Sequence, residues 1–374
     1  MNILVVIIIV LSFGIAIFLA ILNSYVVNLK GAEVDAERLL SRAEEWVDSG
    51  SVEWVVDSDF FVQFLGLLKL SFSLDEFGLT VIGVILYYVA YIFIFTRYKG
   101  VYFSWASLLL VVLCLLSPSV LLRVSALLRE PYCIFFGVLA VWFGVQFIVE
   151  RKILNLILSL ACIVMAGFFH KAFLAFIPLF VSLLAFFSVR RLFYFGLLAL
   201  VLGILLVASV SYLIPVLGAL RGGDALVTII SGDLSIAEKI VGYKSGLNAR
   251  TTYDYGADFS TFLSVLGTFM KASAYYYLAP FPWGVSNTLD IMVLVENISR
   301  FICLVYLVFK AIASGRRDVY FVLLCYFLLN LIWALGTSNY GTGSRHHMTA
   351  IPFLMMGYIM IFNRKSLLGC QDNK

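Results

Sequence analysis

Apolar residues fall in long runs interrupted by short charged connections. The runs centre on residues 3–22, 77–95, 105–116, 132–149, 153–168, 172–189, 192–214, 289–313, 319–335 and 348–362. Runs of about 20 residues with few charges predict membrane-crossing helices, about ten of them here. The first run lacks a basic segment ahead of it and is longer than the apolar part of a cleaved leader, so it reads as a retained helix. The expected fold is all-α: a single integral membrane domain over residues 1–374.

The connections give the orientation. Arg97 and Lys99, Arg151 and Lys152, Arg190 and Arg191, Arg316 and Arg317, and Arg364 and Lys365 fall on every second connection. The excess of Lys and Arg in cytoplasmic loops places these inside, and with them both termini. The remaining connections are then periplasmic, or extracytoplasmic in general: 23–76, 117–131, 169–171, 215–288 and 336–347. Two of them, 23–76 and 215–288, are long enough to hold structure. In the first, Ala36, Leu39, Leu40, Ala43 and Val47 recur at helical spacing, with Glu37, Arg38, Glu44 and Glu45 largely opposite. This predicts an amphipathic helix over 33–49, suited to lying on the membrane surface. Residues 60–70 are apolar but too short to span, hence interfacial or re-entrant.

Composition excludes a soluble domain, since 63% of the 374 residues are hydrophobic and only 13% charged. Five of the six cysteines, Cys114, Cys133, Cys162, Cys303 and Cys325, lie inside apolar runs, and Cys370 lies in the tail. They show neither metal-ligand spacing nor a disulfide framework and read as small buried hydrophobes. The chain has no Walker lysine loop, His-Glu-x-x-His, Gly-x-Ser-x-Gly or Cys-x-x-Cys. Neither metal, cofactor nor nucleic acid is expected.

The loop-charge rule also exposes its exceptions. The short outward connections carry Arg123, Arg129, Lys171 and Arg345, with His170, His346 and His347 beside them. Singly, such residues contact lipid phosphates or extend to the interface. As a set on the disfavoured face they point to an anionic ligand, and arginine suits phosphate through bidentate charge-assisted hydrogen bonds. Glu130 either orients Arg129, acts as a base, or forms an ordinary surface ion pair. His170 sits in the tightest outward hairpin, as a titrating group, a hydrogen-bond partner of a sugar hydroxyl, or a helix cap. Glu296 and Arg300 stand four residues apart in one run and are expected to pair on one helical face. Asp35, at the membrane surface, is a candidate for accepting a hydroxyl proton. Tyr253, Tyr276 and Trp283 are candidates for stacking on sugars, or members of an interfacial aromatic belt.

The order of these features resembles Wzy-type O-antigen and capsule polysaccharide polymerases, including the EpsG-like group. The resemblance rests on Asp35-Ala-Glu-Arg-Leu-Leu-Ser-Arg-Ala43 after the first run, Leu128-Arg129-Glu130, the outward His170, and Pro280-Phe281-Pro282-Trp283 before a late run. It also rests on Gly343-Ser344-Arg345-His346-His347 leading into Ile351-Pro352. Where family members commonly carry Arg-His-Arg, this chain has Arg345-His346-His347, so the second basic position has no permanent charge.

The resemblance implies a periplasmic-face glycosyltransferase that extends a glycan on undecaprenyl diphosphate, with a chain-length regulator and a flippase as expected partners. Arg345 and Arg129, then Arg123 and Arg250, would stabilise the diphosphate leaving group, whose charge grows in the transition state. His346 and His347 together, then Asp35, then Glu130 and His170, are the candidates for the acceptor's base. A ligase-like transferase and a flippase for lipid-linked oligosaccharide are the competing expectations. Transporters usually show internal repeats and broken helices around midplane polar residues. Here the basic residues gather at one face, which favours an enzyme.

Overall fold

The computed structural model describes residues 3–27, 33–50, 60–97, 105–188, 251, 256, 258, 262–337 and 339–362. Among them the regular structure is helical. In chain order the α-helices are α1 (Ile3–Tyr25), α2 (Glu33–Asp48), α3 (Phe60–Phe72), α4 (Glu76–Arg97), α5 (Trp105–Leu115), α6 (Pro118–Val124) and α7 (Glu130–Glu150). They continue with α8 (Ile153–Phe169), α9 (Lys171–Ser188), α10 (Phe262–Leu278), α11 (Thr288–Ser314), α12 (Arg317–Gly336) and α13 (Tyr340–Phe362).

Five of these helices, α1, α4, α7, α11 and α12, are long and apolar enough to cross a membrane. The α5–α6 pair makes a sixth if taken as one span, bent by 40° at Ser117-Pro118. Helix α8 and most of α9 are apolar but shorter. The run 192–214 and most of the loop 215–288, with Arg250 and Tyr253, lie outside the described residues.

The bundle forms around α13. Of its residues, Gly343, Ser344 and everything from His346 to Met360 are buried, the signature of a helix enclosed on all sides. Helices α12, α7, α11, α5 and α6 all pack against it. Close approach needs small residues: a Cβ on Gly357 would stand 2.9 Å from the Leu307 side chain of α11.

The structure moves the start of this helix. Sequence placed a connection over 336–347 with loose glycines, whereas α13 already begins at Tyr340. Asn339 is the reason. Its side-chain oxygen accepts the N–H groups of Gly341 at 2.7 Å and Thr342 at 3.3 Å, and its carbonyl accepts that of Gly343 at 2.7 Å. An N-cap of this kind satisfies amides that a helix start leaves unpaired. Arg345, His346 and His347 therefore sit on the first turns of a rigid central helix.

The helix expected at 33–49 is α2, and the short apolar segment after it is α3. The apolar stripe of α2 faces protein. Ala36 and Ala43 are buried, and Trp46 lies across Gly66 of α3, where a Cβ would come within 2.5 Å of the indole. A 2.5 Å ion pair, Lys69 to Glu44, closes the other side. Helix α3 in turn stacks on the ends of α7 and α8 through Phe61–Tyr132 (5.2 Å) and Phe60–Phe169 (5.4 Å).

The two ends of the bundle differ in chemistry. One carries Arg97, Arg151, Lys152, Arg316 and Arg317 at helix termini. There Lys152 pairs with Glu150 at 2.9 Å and Arg316 with Asp318 at 2.5 Å. The other end gathers the end of α6, the starts of α7, α11 and α13, the ends of α8, α10 and α12, and α2.

Candidate functional site

Residues far apart in sequence meet at that second end. Arg345, on the second turn of α13, has a side chain only 13% exposed and contacts two carboxylates. Its Nη1 donates to Oδ2 of Asp35, which α2 carries to it from 310 positions away. Its Nε lies 2.8 Å from Oε1 of Glu130, at an angle outside hydrogen bonding. Glu130, on the first turn of α7, is fully buried. The ordinary surface ion pair expected for it is therefore replaced by a buried contact with Arg345. Opposite charges this far from water interact strongly, since the local dielectric is low.

Two further guanidiniums stand close by. Arg123 of α6 is buried; its Nη2 donates to the carbonyl of Gly341 at 2.8 Å, while Nη1 makes no hydrogen bond among the described residues. The charges of Arg345, Glu296, Arg300 and Glu130 all bear on it. Arg129, half-buried just before α7, makes no ion pair among the described residues, but its charge bears on Asp35. Partial burial alone would raise the pKa of Asp35. The Arg345 charge and hydrogen bond, with the charges of Arg129 and Arg38, outweigh this and hold its carboxyl below the ordinary value.

The three histidines are inequivalent. His347 points into the bundle: its Nε2 donates to the Tyr276 carbonyl at 2.8 Å, and its ring lies 4.1 Å from that of Tyr276. Tyr276 is itself buried, so its ring serves this packing. His346 stacks on Trp333, centroids 3.8 Å apart and 19° between planes, and its Nδ1 meets Thr337 Oγ1 at 2.9 Å. His170 caps α8; its Nδ1 accepts the Ala172 N–H at 3.1 Å, and its ring edge meets Trp333 at 4.6 Å and His346 at 6.3 Å. Trp333 Nε1 donates to Thr349 Oγ1 at 3.1 Å, which fixes the indole between the two imidazoles.

The expected Glu296–Arg300 ion pair is absent. The Glu296 carboxylate accepts the hydroxyls of Ser117 and Ser119 at the α5–α6 break, and the Ser119 N–H at 3.4 Å. Arg300 turns instead to the Asn297 side chain and to the Glu296 carbonyl at 3.3 Å. Tertiary hydroxyls have taken the carboxylate from its helical neighbour. The contact ties α11 to the bent pair that carries Arg123.

Trp283 is 83% exposed and stacked on Phe281, centroids 4.9 Å apart and 3° between planes, which makes a flat apolar face between α10 and α11. Among the described residues no group of three or more His, Cys, Asp and Glu side chains comes together as a metal site. Thr337, Trp333 and the Ser117/Ser119 pair were not singled out from sequence. Hydroxyls and an indole at helix ends carry no spacing signal, and only the ring stack and hydrogen bonds reveal them.

The assembly is an all-helical membrane-type bundle with a cluster of guanidiniums and carboxylates at one end. Comparison with protein-family models, curated proteins and solved structures finds no match.

Proposed function

We propose that the chain is a glycosyltransferase of the bacterial inner membrane. In this reading it polymerises undecaprenyl-diphosphate-linked oligosaccharide repeat units at the periplasmic face. The observation that supports this best is the convergence of Arg345, Arg123 and Arg129 with Asp35 and Glu130 beside His346. With Arg300 and Glu296, four guanidiniums face three carboxylates, and the surplus charge favours an anion. The basic helix ends, Arg97 to Arg317, lie at the opposite end of the bundle and would be cytoplasmic.

In the reaction an acceptor sugar hydroxyl attacks the anomeric carbon of the donor. The bond from that carbon to the diphosphate oxygen breaks, and the diphosphate leaves with the electron pair. Arginines aimed at the leaving group bind it more strongly as its charge grows. The acceptor proton passes to His346. With Nδ1–H donating to Thr337 Oγ1, Nε2 keeps its lone pair, and the Trp333 stack holds the ring in place. His347, already committed to the Tyr276 carbonyl, takes a packing role. The exposed Trp283–Phe281 face would stack against a sugar.

The test uses purified protein in detergent with defined undecaprenyl-diphosphate repeat units and separation of products by chain length. Polymer formed without a membrane gradient supports the enzyme. Its absence, together with translocation of the lipid-linked unit in vesicles, would establish a flippase instead.

A further inference from the structure

Asp35, Arg345 and Glu130 form layers from solvent inward. The Asp35 side chain is 49% exposed, that of Arg345 13%, and Glu130 is fully enclosed. A half-exposed carboxylate thus caps a nearly buried guanidinium. Beneath it both Glu130 oxygens and the buried Arg123 Nη1 make no hydrogen bond among the described residues. Buried polar atoms are nearly always paired, so the unpaired Arg123 Nη1 next to a paired Nη2 is a donor left for a further acceptor when the site opens. Asp35 does not reach Arg123: the carboxylate meets Arg345, and Arg123 Nη2 goes to the Gly341 carbonyl.

We propose that Asp35 is a resident stand-in for a substrate phosphate, displaced from Arg345 when a diphosphate group binds, and that its release lifts α2 to uncover Arg345, Arg123 and Glu130. This rests on the glycosyltransferase reading for the identity of the anion. A diphosphate carries more charge and more acceptor oxygens than a carboxylate, so it engages Arg345 and Arg123 together. Partly solvated ion pairs are worth little, so displacing Asp35 costs a diphosphate little. The main packing of α2 is on α3, through Trp46 on Gly66 and Lys69 with Glu44, and the Asp35 pair ties it to α13. Release of the carboxylate removes the tie to α13 and leaves α2 hinged on α3, so that its Asp35 end swings away.

The experiment measures amide hydrogen exchange over residues 33–48 of the full-length protein in neutral-lipid nanodiscs. The additions are inorganic pyrophosphate, a polyprenyl diphosphate, or phosphatidylglycerol incorporated in the disc. Both diphosphates are expected to speed exchange in 33–48, and phosphatidylglycerol alone to leave it unchanged. Asp35→Asn is expected to speed it without ligand and to tighten pyrophosphate binding about threefold, the scale of a partly exposed ion pair. Unchanged exchange at saturating diphosphate, weaker pyrophosphate binding by Asp35→Asn, or a response to phosphatidylglycerol alone would each overturn the proposal. Polymer formation without any lifting of α2 removes this inference alone. Lifting by diphosphate in a protein that makes no polymer removes the glycosyltransferase reading and leaves the anion site standing.

Discussion

At the scale of single residues the site is a problem of compensating buried charge. Glu130→Gln leaves Arg345 without its interior partner, and breaking a buried pair from one side typically costs about 3–5 kcal/mol. The expected result is a clear loss of thermal stability in detergent. Joining it to Arg345→Met should restore part of that stability, because the two changes couple through one contact. Asp35 gives a pH prediction. Its carboxyl is held below the ordinary value, so its stabilisation is present above an unfolded pKa of about 3.9 and is lost only as pH falls through the lower folded value. A fluorinated-tryptophan signal from Trp46 should therefore shift with a midpoint below the ordinary Asp range. In Arg345→Gln the midpoint should rise, since burial then acts with only the weaker charges of Arg129 and Arg38 against it.

At the scale of helices, the site depends on parts remote from it. Gly66→Val places a Cβ where the Trp46 ring lies, so α2 must shift. Exchange should rise throughout 33–48 and stay low in 340–362; equal loosening of both would show that α2 does not move independently of α13. Sequence showed α2 and α3 because amphipathic spacing and a short apolar run are local signals. It missed the start of α13 because Gly341-Thr-Gly343 reads as a breaker. The cap from Asn339 and the all-round packing outweigh that local preference. It paired Glu296 with Arg300 because four-residue spacing is the nearest rule to hand, while Ser117 and Ser119 reach the carboxylate only through the bend at Pro118. The residues of the site were visible one by one as bases on an unexpected face. Their partners were not, because Asp35 and Arg345 are joined only by the tertiary fold.

At the scale of the whole molecule, the two bundle ends carry opposite assignments. In the proposed orientation, the basic helix ends at one end are cytoplasmic and the arginine–carboxylate cluster at the other faces away from the cytoplasm. Cysteine substitutions at Lys152 and Trp283, both well exposed, should react with membrane-impermeant maleimide from opposite sides of the membrane. Labelling of both from one side would dismantle the topology. The central claim, that this end transfers sugars from a lipid diphosphate, is tested most directly by a single substitution that leaves the fold alone. Arg129 has no side-chain partner among the described residues, so Arg129→Gln should fold as the native protein does. With purified protein and defined undecaprenyl-diphosphate repeat units, the native chain should make polymer. Arg129→Gln should make it about 100-fold more slowly, the scale of losing one transition-state donor. Native-rate polymer from the variant, or none from the native protein, would contradict the account.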